Sequence, residues 1–263
     1  MLRSMYSGIS GMKNFQTKLD VIGNNIANVS TYGFKKGRIT FKDMISQETQ
    51  GASAPQGGRG GTNAKQVGLG VDTASIDNIQ GQGSLQNTGR NLDLAISGDG
   101  FFVVKDGNQT YYTRAGNFYL DGDGYIVNAD GMKVQGTKGP IQISKNGLKE
   151  FSIGKSGEIT GVDASGKTVN LGQIQIATFN NPEGLEKAGG TLFQQSPNSG
   201  PAFQSNPGQN GAGELAVGEL EMSNVDLSEE FTSMIEAQRG FQANSRIITT
   251  SDQILEELVN LKR

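Results

Sequence analysis

The stretch LSEEFTSMIEAQRGFQANSRIITTSDQILEELVNLKR, residues 227–263, decides the fold. Leu227, Met234, Phe241, Ile248 and Leu255 recur every seven residues. Phe231 and Val259 flank that seam, and Ile235, Ile247, Ile254 and Leu258 widen it. A seven-residue apolar repeat belongs to a helix that packs lengthwise on another helix. Asp226, with Glu229 three residues later, is a capping-box-like start, so the spacing predicts a helix over about 227–261.

The other end carries a matching stripe. Leu2, Met5, Ile9, Met12, Phe15, Leu19, Ile22, Ile26 and Val29 alternate three- and four-residue steps, with one stammer near Phe15. Gly8, Gly11 and Gly23 interrupt this helix, each at about 1 kcal/mol relative to Ala. The N-terminal helix is therefore expected to be marginal alone and to form on association. That property suits a chain exported unfolded and assembled at a distance.

Between these ends the pattern changes. Asp99-Gly100, Asp106-Gly107, Asp121-Gly122, Asp123-Gly124 and Asp130-Gly131 punctuate alternating runs such as Phe101–Lys105, Tyr111–Arg114 and Tyr125–Asn128. Asp-Gly between alternating runs predicts hairpins. Glu150–Ile153 and Gln173–Phe179 read as further strands, and the polar, glycine-rich stretches at about 50–66 and 195–213 as loops. The fold class expected is α+β, with N- and C-terminal helices pairing as a coiled coil and an intervening, mostly antiparallel β domain. The expected divisions are a helical domain from 1–30 plus 226–263, an extended linker or hairpin region over 31–75, and a β-rich outer domain over 76–225. Charge agrees modestly: residues 1–30 carry net +2 and residues 226–263 net −3.

Composition removes whole classes of chemistry. The 263 residues include no Cys, His or Trp. Disulfides, zinc fingers, iron–sulfur clusters, thiol nucleophiles and Ser-His-Asp triads are excluded. No run of 18 apolar residues exists to span a membrane, and Ser4, Ser7, Gly8, Ser10 and Gly11 break any signal-peptide core. Asp121-Gly-Asp-Gly-Tyr125 resembles the start of a calcium loop. Ile126 and Met132 stand where that loop needs Gly and Glu, so turn chemistry is expected. Arg90 with Asp93 reads as a structural ion pair. Lys35, Lys36, Arg38 and Lys42, interleaved with Phe34 and Phe41, read as a solvated strand face meeting acidic neighbours, not a nucleic-acid surface. Nucleotide-binding glycine motifs are missing, and no catalytic, cofactor or metal residues are expected.

What remains is association through the ends. The expected subunit interface comprises Leu2, Met5, Ile9, Met12, Leu19, Ile22 and Ile26 with Leu227, Phe231, Met234, Ile235, Phe241, Ile248 and Leu255. A contrasting class is a monomeric β-rich binding module, which would display an aromatic groove from residues such as Tyr111, Tyr112 and Phe118.

DVIGNNIANVSTYGFK, residues 20–35, resembles the N-terminal signature of the bacterial flagellar rod and hook family, with Asn24, Asn25, Asn28, Thr31, Gly33, Phe34 and Lys35 at the motif positions. EMSNVDL (221–227), Met234-Ile235 and AQRGF (237–241) resemble its C-terminal signature. NTGRNLDLAISGDGFF (87–102) and YTRAGNFYLDGDGYIV (112–127) resemble its β domain, so the likeness covers essentially the whole chain. STYGFKKGRITFKDM (30–44), VGLGV (67–71) and LQNTGRNLDLAIS (85–97) resemble the hook branch as found in Bacillus-type bacteria, whereas length and the lack of an extra outer domain resemble the distal rod. The resemblance implies a structural subunit of a helical tube, with terminal helices lining a channel. The expectation is the hook, a flexible universal joint carrying torque to the filament, with the distal rod as the alternative. It further implies a homo-polymer, neighbouring rod, hook-cap and hook–filament junction proteins, type III export without a cleaved signal, and an extracellular place at the hook or basal body.

Overall fold

The computed structural model describes residues 2–55, 60–143, 148–163 and 167–261; residues 56–59 of the expected 50–66 loop, and the side chains of Leu2 and Leu258, lie outside the described residues. The chain is α+β as expected, with helices α1 (Leu2–Ala27) and α2 (Leu227–Asn260) flanking many short strands. It divides into one unit of Met1–Ala27, Gly37–Asp77 and Asp226–Arg263, and another of Asn28–Lys36 and Asn78–Val225.

In the first unit α2 starts at its predicted cap, where the Asp226 carboxylate accepts from the Ser228 and Glu229 amides. The two helices pack antiparallel, because residue 8 faces 248, residue 11 faces 244 and residue 15 faces 240. A Cβ built on Gly8 would lie 3.4 Å from Ile248 Cγ1, one on Gly11 2.8 Å from Asn244 Nδ2, and one on Gly240 2.6 Å from Phe15 Cζ. Gly11 and Gly240 are thus points of close approach, and the Phe15 ring fills the space that Gly240 leaves. The sequence reading counted Gly8 and Gly11 only as helix-weakening, since the facing helix was not visible in it.

The segment expected as a linker over 31–75 is divided. Residues 28–30 form a turn rather than the end of the helix, and 28–36 belong with the second unit. Strands β1 (Gly37–Asp43) and β4 (Val71–Asn78) pair with each other and are tied to α1 by side chains that stand in for strand partners. Asn14 donates from Nδ2 to Val71 O at 2.7 Å and accepts from Thr73 Oγ1 at 2.8 Å. Phe15 and Phe41 rings tilt together at 6.2 Å. Strands β2 (Gln47–Gln50) and β3 (Lys65–Val67) form a small hairpin with every residue exposed.

The second unit is built around an antiparallel sheet that includes Phe101–Asp106 paired with Gln109–Thr113 across the predicted Asp106-Gly107 turn. Strand periodicity sends Phe102 and Val104 into a core with Leu94, Ile96, Phe118, Ile126 and Ile176. Phe101 and Val103 enter a second cluster with Tyr112, Leu185 and Phe193. Both faces of this strand are therefore covered, which explains its unbroken apolar run.

Gly240→Val should destabilise the helix pair by about 1–3 kcal/mol through overpacking against Phe15. Gly23, where an added Cβ meets nothing within 4 Å, should instead stabilise α1 on Gly23→Ala, by roughly 0.5–1 kcal/mol. Urea denaturation followed by far-ultraviolet circular dichroism separates the two.

Candidate assembly interface

The residues of the N-terminal signature do structural work from both sides of the α1 terminus. Asn25, buried on α1, donates from Nδ2 to Gly37 O and accepts from Gly37 N, each at 2.9 Å. Its amide thus pairs with β1 as a neighbouring strand would, fixing where the strand begins. Asn24 lies on the exposed side of α1.

In the second unit, Asn28 O accepts from Thr31 N at 3.1 Å, and Thr31 Oγ1 donates to Asn28 Oδ1 at 3.2 Å. Gly33 follows at φ +68°, where a Cβ would lie 2.5 Å from Ala115 N. Only glycine meets both demands. Gly33 N donates to Glu221 O at 2.8 Å, and the Lys187 ammonium sits 5.0 Å from the Phe34 ring centroid.

Lys35 ends this segment with 1 % of its surface exposed. Its Nζ donates to Glu221 Oε1 at 2.6 Å and to Gly81 O at 2.8 Å. Glu221 Oε1 also accepts from Gly83 N at 2.9 Å, while Oε2 accepts from Arg114 at 3.3 Å. Burial lowers the Lys35 pKa below the ordinary lysine value; the Glu221 charge and hydrogen bond oppose that shift, and Arg114 adds to it. Burial likewise lowers Arg114, against the pull of Glu221 and Asp99. One carboxylate therefore compensates two buried cations. Asn224 completes the junction, accepting from Lys36 N at 2.8 Å and donating to Ile79 O at 2.8 Å. The two signatures meet here, in a clamp that neither signature reveals alone.

The residues expected at the subunit interface divide into three groups. Ile22 is buried within the chain. Met5, Met12, Leu19, Ile26, Met234, Phe241, Ile248 and Leu255 are half-buried. Ile9, Leu227, Phe231 and Ile235 are exposed, the last two by 50 % and 54 %. The closest approaches between α1 and α2 set Gly8 against Ile248, Gly11 against Asn244 and Gly240 against Phe15. Gly8, Gly11, Ala237 and Ser251 are buried, and the glycines among them gave no signal in the hydrophobic periodicity. Large apolar side chains are thereby left on two outer tracks of α2. Leu227, Phe231 and Ile235 step by four, and Ile247 and Ile254 are seven apart, all exposed.

Other expectations resolve locally. Arg90 and Asp93 pair at 3.1 Å, and Arg90 also donates to Phe118 O at 2.9 Å. The Asp121 segment is a turn closed by Gly124 N to Asp121 O at 2.9 Å, and among the described residues no acidic cluster could hold a metal. Lys35 of the basic stretch is buried, while Arg38 and Lys42 face Asp77 and Asp72 at 3.5 and 3.9 Å. The aromatic groove expected of a binding module is not formed by these residues: Tyr112 and Phe118 are buried, one in each of the two cores. No described helix is long and apolar enough to cross a membrane.

Three family models match. Residues 5–35 match the flagella basal body rod protein family, 95–161 the flagellar hook protein FlgE/F/G D1 domain, and 216–261 the flagellar basal body rod FlgEFG protein C-terminal region. The chain is 60 % identical over 264 aligned residues, covering all of both chains, to the flagellar basal-body rod protein FlgG of Bacillus subtilis (strain 168). It is 39 % identical over 278 residues, again covering both fully, to FlgG of Borreliella burgdorferi. To the flagellar hook protein FlgE of that organism it is 32 % identical over 441 aligned residues, also covering both. The chain belongs to the FlgE/F/G family of flagellar hook and basal-body rod proteins, structural parts of the flagellum.

Lys35→Met should cost about 3–5 kcal/mol, because Glu221 keeps its burial and loses its nearest partner. Glu221→Leu should cost at least as much, since it leaves Lys35 and Arg114 together without their shared anion. Urea midpoints of the two variants against the parent chain give the comparison.

Proposed function

We propose that this chain is a rod subunit, whose copies stack into a stiff helical tube that serves as the distal drive shaft of the flagellum. The observation that carries this reading is the 60 % identity to a rod protein along the full length of both chains. The hook reading favoured by residues 30–44, 67–71 and 85–97 is supported by the 32 % identity to a hook protein. That alignment, however, extends to 441 positions against the 263 residues of this chain. The hook relative therefore carries insertions with no counterpart here, and length tips the choice to the rod.

In this reading the exposed tracks of α2 and the exposed Tyr6 and Ile9 of α1 are covered by other copies. The glycine-lined contact between α1 and α2 keeps each subunit's own helix pair together. Adjacent rod and hook proteins complete the partners, at the basal body. Passage through the type III apparatus fits a helix weakened by Gly8, Gly11 and Gly23. The role is structural, with no reaction to catalyse.

Expressed in Bacillus subtilis lacking FlgG, the chain should restore motility, and it should fail to do so in a strain lacking its hook protein. The reverse outcome would return the assignment to the hook. Phe231→Asp and Ile235→Asp should abolish tubes seen by electron microscopy while shifting the urea midpoint little, because both side chains are exposed in the single chain. Ile248→Asp, which strikes the contact with Gly8, should loosen the helix pair itself. Normal tubes from all three variants would remove the outer tracks from the interface.

A further inference from the structure

Asn210 and Gly211 form the corner of a tight turn in the second unit. Ala212 N donates to Gln209 O at 2.9 Å, and the two residues between them stand at φ +52° and +81°. Positive φ at both central positions marks a type I′ turn, which selects Asn or Asp followed by Gly. Both residues are exposed. Among the described residues, neither the Asn210 carboxamide nor the Gly211 N–H has a hydrogen-bond partner. A Cβ built on Gly211 would meet nothing within 4 Å, so water and base reach this peptide.

The turn thus demands the residue pair whose own chemistry is least protected. Asn is thermolabile, because the amide nitrogen of the next residue can attack its side-chain carbon and close a five-membered ring. Proximity within one chain replaces a bimolecular encounter, and glycine carries no side chain to shield its nitrogen. Other asparagines of the unit lack this combination. Asn206 precedes Pro207, which has no N–H to give up. The amide after Asn198 donates from Ser199 N to Ser196 Oγ at 3.2 Å. Asn87 Oδ1 accepts from Gly89 N, and Asn128 Oδ1 from Asp130 N and Met132 N.

We propose that Asn210 is a site of spontaneous deamidation in the folded protein. Hydroxide takes the Gly211 N–H proton as that nitrogen bonds to Asn210 Cγ. The bond from Cγ to the side-chain nitrogen breaks, and ammonia leaves a succinimide. Water then opens the ring at one of its two carbonyls. Breaking the bond from nitrogen to Cγ gives aspartate, and breaking the bond from nitrogen to the backbone carbonyl gives isoaspartate. One water is consumed, one ammonia is released and nothing is oxidised. Aspartate preserves the turn, since Asp-Gly meets the same φ demand, and adds one negative charge. Isoaspartate adds a methylene to a backbone that Gly208 N to Gly213 O, at 3.1 Å, closes tightly. The site does not depend on the rod reading.

The test incubates the full-length chain at mildly alkaline pH, folded in buffer and unfolded in urea, with peptide mass mapping and isoaspartyl methyltransferase labelling over time. Position 210 of the folded chain should gain aspartate and isoaspartate together, faster as pH rises, at a rate within about tenfold of the unfolded chain. Asn206, in the same segment, should gain neither. Mapping separates this signal from Asn146-Gly147, the other Asn-Gly pair of the sequence, which lies outside the described residues. An unchanged position 210 in the folded chain would overturn the proposal, since the turn would then protect the pair. Aspartate without isoaspartate would overturn it as well, because direct hydrolysis would have bypassed the ring. Equal conversion at Asn87, Asn128 and Asn198 would remove the role given to the turn.

Discussion

The β unit depends on one anion. Glu221 is buried between Lys35 and Arg114, and it holds three segments that sequence separates widely. Moving a charge out of water costs several kcal/mol, and that cost is offset only while the hydrogen bonds from Lys35, Arg114 and Gly83 are all made. Such a cluster contributes less to net stability than to uniqueness of arrangement: misplacing any of the three segments leaves a naked charge in the interior. The signature residues around it follow from the same demand. Gly33 lets the chain approach the backbone of residues 114–115, and Asn224 satisfies the amide next to the buried lysine.

The helical unit solves a different problem. Its two helices must approach closely although both carry large side chains along the seam. Here Gly8, Gly11 and Gly240 come up against Ile248, Asn244 and the Phe15 ring, while Phe231, Ile235 and Ile254 are exposed. Close approach gains dispersion contacts per unit length even when the residues are small, and antiparallel pairing lets the Phe15 ring fill the space left by Gly240.

Sequence periodicity carried the architecture well. The α2 repeat, its Asp226 cap and the Asp106-Gly107 hairpin were all legible, because each depends on neighbours within a few residues. What was hidden depends on partners far along the chain. Lys35 looked like one of a run of surface bases, since nothing within thirty residues announces Glu221 or Arg114. Nothing in the pattern marked Asn14, and Asn25 stood out only as a motif position, yet their amides act as strand partners for Val71 and Gly37. The seam was read from its large side chains, and Gly8, Gly11 and Gly240, which let the helices approach, gave a hydrophobic pattern no signal.

The Lys35–Glu221 contact spans 186 positions of sequence, and α1 must likewise wait for α2, the final long element. Both units are therefore closed by the last fifth of the chain. Loop closure across such distances is entropically costly and slow, whereas hairpins such as the one at Asp106-Gly107 close between near neighbours. Completion of both units thus waits on Glu221 and α2, an order of contacts written into the topology.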